Sequence, residues 1–472
     1  MTLTRDLAWL LGEIATVIHV SIAFAVTVHV LLYKRNVGAA ISWMGIAWLS
    51  PFIGGALYFA FGINRVRRRA LRLRNERAHL FPGEEAAPAM LPSDPLTPLE
   101  FAIGRLTGLP AEGGNDVLLL HNGDEAYPAM LAAIDGAAQS VGLASYIFRD
   151  DKAGGRFIAA LIRAQKRGVA VRVLIDGVGS GWFWSGTYVK LRRAGVPVAR
   201  FLHSYFPWRT PFLNLRNHRK ILVVDGRIAF VGGINIGDEN VLEGKPAHPV
   251  VDTHFRFEGP VVEQLTESFA DDWLFQTGEK LLDERWFPSI APAGSISARA
   301  VGSGPDEEME QIEFAALHAI SCARHSIRVT TPYFLPPDML TMALGLAAMR
   351  GIVVDIVVPG KSNHRVLDWG RNVPMRQLLE AGCRIWLRPP PFNHSKLMTI
   401  DDAWSMIGSA NWDTRSFRLN FELNVEVHGA DLARQLAEES QGGRQLTLAE
   451  IDSPALPLRL RNSAARLLQP YL

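Results

Sequence analysis

The chain has 472 residues, 48% of them hydrophobic, and a net charge of only +2. That length exceeds one ordinary domain and supports two sizeable cores. The near-neutral balance excludes a chain built throughout to bind polyanions, and its only cysteines, Cys322 and Cys383, lack CxxC spacing, which excludes a disulfide framework or a thiolate zinc cage.

The N-terminus is the most apolar part. Between Glu13 and Lys34 there are 20 residues without Asp, Glu, Lys or Arg, and between Arg35 and Arg65 there are 29 more. About 20 apolar residues cross a bilayer core as a helix. Two such stretches joined by a short KRNVG link predict a transmembrane helical hairpin over residues 1–64, with Tyr33, Trp43, Trp48 and Tyr58 suited to the interfaces. A secretory signal peptide competes for the first stretch, but that stretch is too long, lacks a small-residue cleavage site and leads into a second span. A buried core hairpin is the other alternative, and length disfavours it.

The run RVRRRALRLRNER follows at 65–77. Positive flanks stay cytoplasmic, which puts the N-terminus and the large C-terminal part there. Its arginines suit anionic headgroups, and a solvated charged helix fits them equally. Residues 80–98 are Pro-rich and aperiodic, so 65–110 reads as a basic segment and linker.

The remainder repeats one plan, with lobes expected over 111–300 and 301–472. Residues 132–148 (AAIDGAAQSVGLASYIF) and 316–334 (ALHAISCARHSIRVTTPYF) each read as a helix running into a buried strand that ends in aromatics. Residues 157–177 and 339–360 each follow as an amphipathic helix, a basic-residue and glycine stop, and a β-branched strand. A helix end, Gly195 or Gly382, and another strand come next. Alternating helices and buried strands predict two pseudo-symmetric α/β lobes, with mixed sheets flanked by helices.

Each lobe then reaches a short polar set: NHRKILVVD at 217–225 and NHSKLMTID at 393–401. If the strand runs from the histidine, His218 shares a face with Lys220, and His394 with Lys396. Asp225 and Asp401, seven positions on, then fall on the opposite face and support the strand end and its turn. Ten residues after each aspartate stands an asparagine, Asn235 in GGIN and Asn411 in GSAN. Lys and Asn donate to non-bridging phosphate oxygens without a metal. Imidazole can attack phosphorus or move a proton. Two such sets meeting face to face suit an in-line displacement, one histidine as nucleophile and the other as acid and then base. That scheme asks for one neutral and one cationic histidine, hence different surroundings. A His/Asp metal site is the competing reading, and the Lys beside each histidine disfavours it.

The two sets, in equivalent places of a repeated lobe, resemble the double HxKxxxxD motif of the phospholipase D superfamily. The resemblance covers residues of about 115 to 430. The apolar N-terminus, the basic run after it and NWDTRSFRLNFELNVEV at 411–427 resemble bacterial cardiolipin synthases of that superfamily. The resemblance implies a bilobal α/β fold with the site between lobes and a catalytic set of His218, Lys220, Asp225, His394, Lys396 and Asp401. Lys220, Asn235, Lys396, Asn411 and Ser409 would bind phosphate, with Gly233 standing where the second lobe has Ser409. Asp252 and Glu422 match the family's histidine-orienting acids, with either acid open to either histidine. No metal and no cofactor is expected.

The implied reaction moves a phosphatidyl group between two phosphatidylglycerol molecules, giving cardiolipin and glycerol through a phosphohistidine on His218. Partners are then phospholipids and the bilayer, not nucleic acid, with the lobes facing the cytoplasm from the bacterial inner membrane. A hydrolysing phospholipase D, a phosphatidyltransferase with a phosphatidylethanolamine donor, a membrane-tethered nuclease and a dead lipid-binding protein stand as alternatives.

Two further stretches carry two readings each. The loop before His218 holds Tyr205, Phe206, Trp208 and Phe212 beside Arg209 and Arg216, and reads as core packing or as a lip dipping into lipid. The tail, 453–472, alternates leucine and arginine, and reads as an amphipathic membrane segment or as a cover for the second lobe.

Overall fold

The computed structural model describes residues 2–34, 37–50, 52–62, 96–203, 215–305 and 310–466. The basic run 65–77 and most of the aromatic loop, including Tyr205, Phe206, Trp208, Arg209 and Phe212, lie outside them. The described residues form two compact units, the N-terminal helices and the rest.

In the first unit a helix spans Thr2–Tyr33, and its Trp9–Tyr33 part is long and apolar enough to cross a membrane. The second apolar stretch is divided instead of forming one equal span. A 13-residue helix, Val37–Leu49, is followed by a five-residue helix, Ile53–Leu57, and a π-helical turn, Tyr58–Gly62. Thirteen residues rise about 20 Å, short of the ~30 Å bilayer core. The sequence gives the reason: Pro51 follows Ser50, and proline cannot donate to the preceding turn. The chain then doubles back. His19 Nε2 lies 3.3 Å from the Trp48 carbonyl oxygen, whereas His29 Nδ1 lies 2.7 Å from the Tyr58 hydroxyl.

Among the described residues, the second unit holds both lobes in one 16-stranded mixed sheet, with four further short strands paired off in two separate two-stranded sheets. The first lobe contributes β1 (Glu112–His121), β2 (Ser140–Ser145), β3 (Ala170–Asp176), β4 (Val198–Phe201), β5 (Arg216–Asn217), β6 (Ile221–Val224), β7 (Ile228–Gly232), β8 (Val250–Val251) and β9 (Thr253–Glu258). The second contributes β10 (Ile296–Ser303), β11 (Ser326–Thr330), β12 (Phe334–Leu335), β13 (Val353–Pro359), β14 (Arg384–Arg388), β15 (Phe392–Asn393), β16 (Leu397–Ile400), β17 (Trp404–Gly408), β18 (Trp412–Asp413), β19 (Asn420–His428) and β20 (Arg444–Gln445). Outward from the centre the orders correspond: β1-β9-β7-β6-β2-β3-β4 on one side, β10-β19-β17-β16-β11-β13-β14-β20 on the other. The lobes join where β1 pairs antiparallel with β10.

Each lobe has its own core. Val141, Leu143, Val171, Val173, Phe157 and Leu161 are buried in the first, and Ile327, Val329, Val354, Ile356, Leu340 and Leu344 in the second. The helix Lys152–Lys166 shows why: its apolar residues form one stripe, and Asp151 caps it by accepting from the Gly154 N–H. Part of the expected linker is not linker. Residues Thr97–Thr107 form a helix whose Leu99 and Ile103 enter the second lobe's core. The buried Arg299–Glu426 pair fixes it, since Arg299 also donates to the carbonyls of Glu100 and Leu109.

Candidate active site between the lobes

The strand that follows each histidine begins only at Ile221 or Leu397, so strand alternation does not place His and Lys. Pairing with the other lobe does. β5 runs parallel to the start of β19, and the His218 N–H donates to the Phe421 carbonyl at 2.9 Å. In the mirrored arrangement β15 runs parallel to β8, and the His394 N–H donates to the Val251 carbonyl at 2.7 Å. Each histidine is thereby delivered next to the acid that follows its partner strand. His218 Nδ1 lies 2.8 Å from Glu422 Oε2, and His394 Nδ1 lies 2.7 Å from Asp252 Oδ2. The pairing is crossed, each lobe's carboxylate holding the other lobe's imidazole.

A carboxylate at Nδ1 fixes the tautomer, with N–H there and a lone pair on Nε2. Both rings line a cavity of about 1330 Å³ together with Asn235 and Asn411. The Asn235 Oδ1 accepts from the Ile147 N–H at 3.1 Å, which leaves its NH₂ end for a ligand. Lys220 and Lys396 are buried, and each Nζ donates to the carbonyl of its own motif's histidine. Lys396 Nζ is also 2.8 Å from His394 Nδ1. That nitrogen has one proton position, and the carboxylate claims it, so the lysine contact is proximity alone.

Burial lowers both imidazoles to about 4, with the neighbouring lysines adding to it against the pull of Glu422 or Asp252. The expectation of one neutral and one cationic histidine is therefore corrected: near-symmetric surroundings make both neutral at rest. Burial likewise lowers Lys220 to about 7 and Lys396 to about 8. Burial alone would raise Asp252 and Glu422, yet the adjacent lysines and histidines keep both below the usual carboxylate range.

Asp225 and Asp401 sit elsewhere, at the far ends of β6 and β16. Each occupies a tight turn at positive φ (52° for both), where aspartate is better tolerated than most residues. The Asp225 carboxylate accepts from the N–H groups of Ala138, Gln139 and Ser140 at 2.7–2.9 Å. Asp401 does the same for Arg324, His325 and Ser326 at 2.7–2.8 Å. Their inclusion in the catalytic set is corrected: both clamp one strand end to the next. Ser409 is a second correction. Its buried hydroxyl donates to Glu422 Oε2 at 2.5 Å and accepts from the Leu423 N–H, so it braces the acid and is not spent on phosphate. Its counterpart is glycine for a steric reason, since a Cβ on Gly233 would overlap the Asp252 carboxylate.

The two histidine–lysine sets thus lie in two equivalent segments, and both segments match one family. Residues 130–273 and 316–442 match the model described as cardiolipin synthase, PLD-like domain. The chain belongs to this cardiolipin synthase, phospholipase D-like family. Similar curated proteins include the cardiolipin synthase of Geobacillus thermodenitrificans, 32% identical over 100% of this chain and 97% of that one. Cardiolipin synthase A of Pseudomonas putida is 33% identical over 98% of each. Among solved structures, the phosphatidylserine synthase of Haemophilus influenzae shares the fold at a TM-score of 0.59 and 14% identity, covering 79% of this chain and 100% of that one.

Within this phospholipase D-like cavity stand residues the motif reading passes over. Tyr146 meets the His218 ring edge-on at 4.8 Å between centroids, and Tyr333 meets His394 at 6.1 Å. Both line the cavity, and Lys220 Nζ lies 5.4 Å from the centre of the Tyr146 ring. The signal was partial: SYIF and TPYF both end a strand in aromatics, but Tyr146 and Tyr333 lie two and one positions before the matching Phe148 and Phe334. Arg216 and Arg415 also line the cavity, and no repeat marks them. Behind the first motif, Arg219 pairs with Asp272 at 3.0 Å and donates to the Glu422 carbonyl, a brace that Ser395 cannot supply in the second.

Proposed function

We propose that the protein is a phosphatidyltransferase joining two phosphatidylglycerol molecules into cardiolipin, with release of glycerol. The crossed pair carries the reading: two neutral imidazoles, each with Nδ1 held by the other lobe's acid, face one cavity. Family membership and the curated relatives' names support the same chemistry.

His218 Nε2 attacks phosphorus, the bond to the glycerol oxygen breaks, and His394 gives that oxygen a proton. Both rings are neutral at rest, so this proton is taken up with the anionic phosphodiester, whose charge raises the imidazoles beside it. Glu422 stabilises His218 as it bonds to phosphorus, and Asp252 stabilises His394 as imidazolium. The primary hydroxyl of a second phosphatidylglycerol then replaces glycerol. His394 takes its proton, the oxygen attacks phosphorus and the P–N bond breaks. Lys220 and Lys396 neutralise the non-bridging oxygens through both steps, and Asn235 and Asn411 donate hydrogen bonds to them. Tyr146 and Tyr333 fix the ring planes.

The apolar N-terminal helix anchors the chain in the bacterial cytoplasmic membrane, with the arginines at 65–77 keeping the lobes on the cytoplasmic side. Reconstitution with labelled phosphatidylglycerol, with and without chelator, tests the reading. Cardiolipin and glycerol in equal amounts are expected under both conditions. Phosphatidic acid alone would make the enzyme a hydrolase, and strict metal dependence would sink the metal-free scheme.

A further inference from the structure

The cavity is rimmed by two loops that leave equivalent strands. After β3, residues 177–185 begin at the cavity wall with Val178 and end in solvent with Phe183 and Trp184. These two are 79% and 72% exposed, more than any aromatic of the apolar N-terminal helices among the described residues. The loop is not loose. Asp176 Oδ1 accepts from the Val178 and Gly179 N–H groups at 2.8 Å, and the Arg200 guanidinium donates to the carbonyls of Gly177 and Trp182 at 3.1 and 2.9 Å. Ser180 Oγ bonds the main chain of Tyr146 and Phe148. A tightly tied loop therefore holds two large aromatic rings out in water, which costs free energy unless something covers them.

After β13 the equivalent loop carries charge instead. Lys361 and Arg365 are exposed at the cavity mouth, and no carboxylate pairs with either among the described residues. The helix starting at Arg365, Arg365–Gly370, packs against the helix Leu456–Arg466, where Arg461 stacks over Trp369 at 4.4 Å. The tail thus covers the second lobe through Asn462 and Ala465, while Leu456 and Leu460, one turn apart, remain 66% and 61% exposed. Exposed rings on a loop that starts at the cavity wall, and unpaired cations on the equivalent loop at its mouth, match the two layers of an anionic membrane surface: the acyl boundary and the headgroups.

The geometry points to this rim as a membrane-docking surface: Phe183 and Trp184 enter the acyl boundary while Lys361 and Arg365 lie on anionic headgroups, seating the cavity mouth on the bilayer. The inference deepens the phospholipid reading above and rests on it for the identity of the surface. A lipid drawn into the cavity then keeps its acyl chains in the bilayer, and only its headgroup is desolvated.

The test uses the full chain reconstituted in vesicles, with Cys322→Ser to remove the half-buried thiol. Phe183→Cys carries an environment-sensitive fluorophore, and Arg163→Cys, on the helix at the other end of β3, serves as control. The Phe183→Cys probe should shift to the blue and be quenched by lipids with a nitroxide high on the acyl chain. The effect should be stronger with phosphatidylglycerol than with phosphatidylcholine, and Lys361→Glu/Arg365→Glu should remove that preference. A probe with the emission of water and no quenching overturns the proposal, whether or not cardiolipin is made. In a second arm, Phe183→Ala/Trp184→Ala should raise the phosphatidylglycerol mole fraction for half-maximal rate about tenfold, while turnover of a monomeric short-chain substrate stays within about twofold. Equal losses on both substrates also overturn it. Absence of cardiolipin in any arm counts against the transferase reading alone, because the quenching arm needs no chemistry.

Discussion

His218 Nδ1 lies 2.8 Å from Oε2 of Glu422, a carboxylate supplied by the opposite lobe. The reverse contact, His394 to Asp252, is 2.7 Å. Neither half contains a complete site, because each imidazole needs an acid that only the other half carries. The two short parallel pairings, β5 with β19 and β15 with β8, set this exchange.

The crossing separates the two acids by step. A phosphodiester with a p-nitrophenolate leaving group needs little acid to form the phosphohistidine. With it, His218→Ala and Glu422→Gln should lose the nitrophenolate burst, and Glu422→Gln should lower the rate about a hundredfold or more. His394→Ala and Asp252→Asn should keep the burst and turn over slowly. Stopped-flow absorbance reads both, and equal loss of the burst in all four variants contradicts the crossed assignment.

Acidity should act through the depressed imidazoles. The histidines sit at about 4 in the folded protein against about 6.5 when unfolded. Between these values the unfolded chain takes up protons that the native state refuses. Stability should therefore fall as pH drops from about 6.5 toward about 4 and level off below, with no contribution from these groups above about 7. Burst rates with the nitrophenyl ester should hold steady between about pH 5 and 6 and decline from about 7 upward, as Lys220 and then Lys396 lose charge. An acid limb centred near 6.5 would show that His218 is not depressed.

Asp225 and Asp401 should behave as clamps. Asp225→Ala strips three main-chain N–H groups of their acceptor, and Asp401→Ala does the same in the second lobe. Each should cost about 2–3 kcal/mol of stability, seen as a lower unfolding temperature in detergent. The fraction that remains folded should keep the parent KM. A large loss of kcat at unchanged stability would place these acids in the chemistry instead.

Gly233 and Ser409 should not exchange freely. Gly233→Ser puts a Cβ where the Asp252 carboxylate lies and should misplace His394, with cardiolipin formation falling about a hundredfold. Ser409→Gly removes one of the side-chain donors to Glu422, alongside His218 and Asn420, and should cost about 1 kcal/mol with activity largely kept. Rates and unfolding temperatures of the two variants decide this, and a tolerated Gly233→Ser contradicts the steric account.

Much of this protein was legible from its sequence. Helix stripes, β-branched strands and glycine stops, repeated in order, specify two like lobes because burial period and turn chemistry are local properties. The histidines, lysines and asparagines announced themselves by equal spacing in both halves, whereas Tyr146 and Tyr333 stand one position out of register and only the aromatic end of each strand pointed to them. The apolar N-terminus followed from composition alone, while the division of its second stretch followed from Pro51, a single residue that length counting overlooks. What the sequence could not decide was any relation between segments far apart in the chain. Which acid serves which histidine depends on pairings across 204 and 142 positions, and the depression of both histidines depends on burial that both lobes create together. Strand alternation assigned His and Lys to a common face, but no strand is there, and only the folded chain turns each lysine back onto its histidine's carbonyl. Local pattern determines the parts and their order, whereas long-range pairing and desolvation, which exist only in the tertiary structure, decide what the site can do.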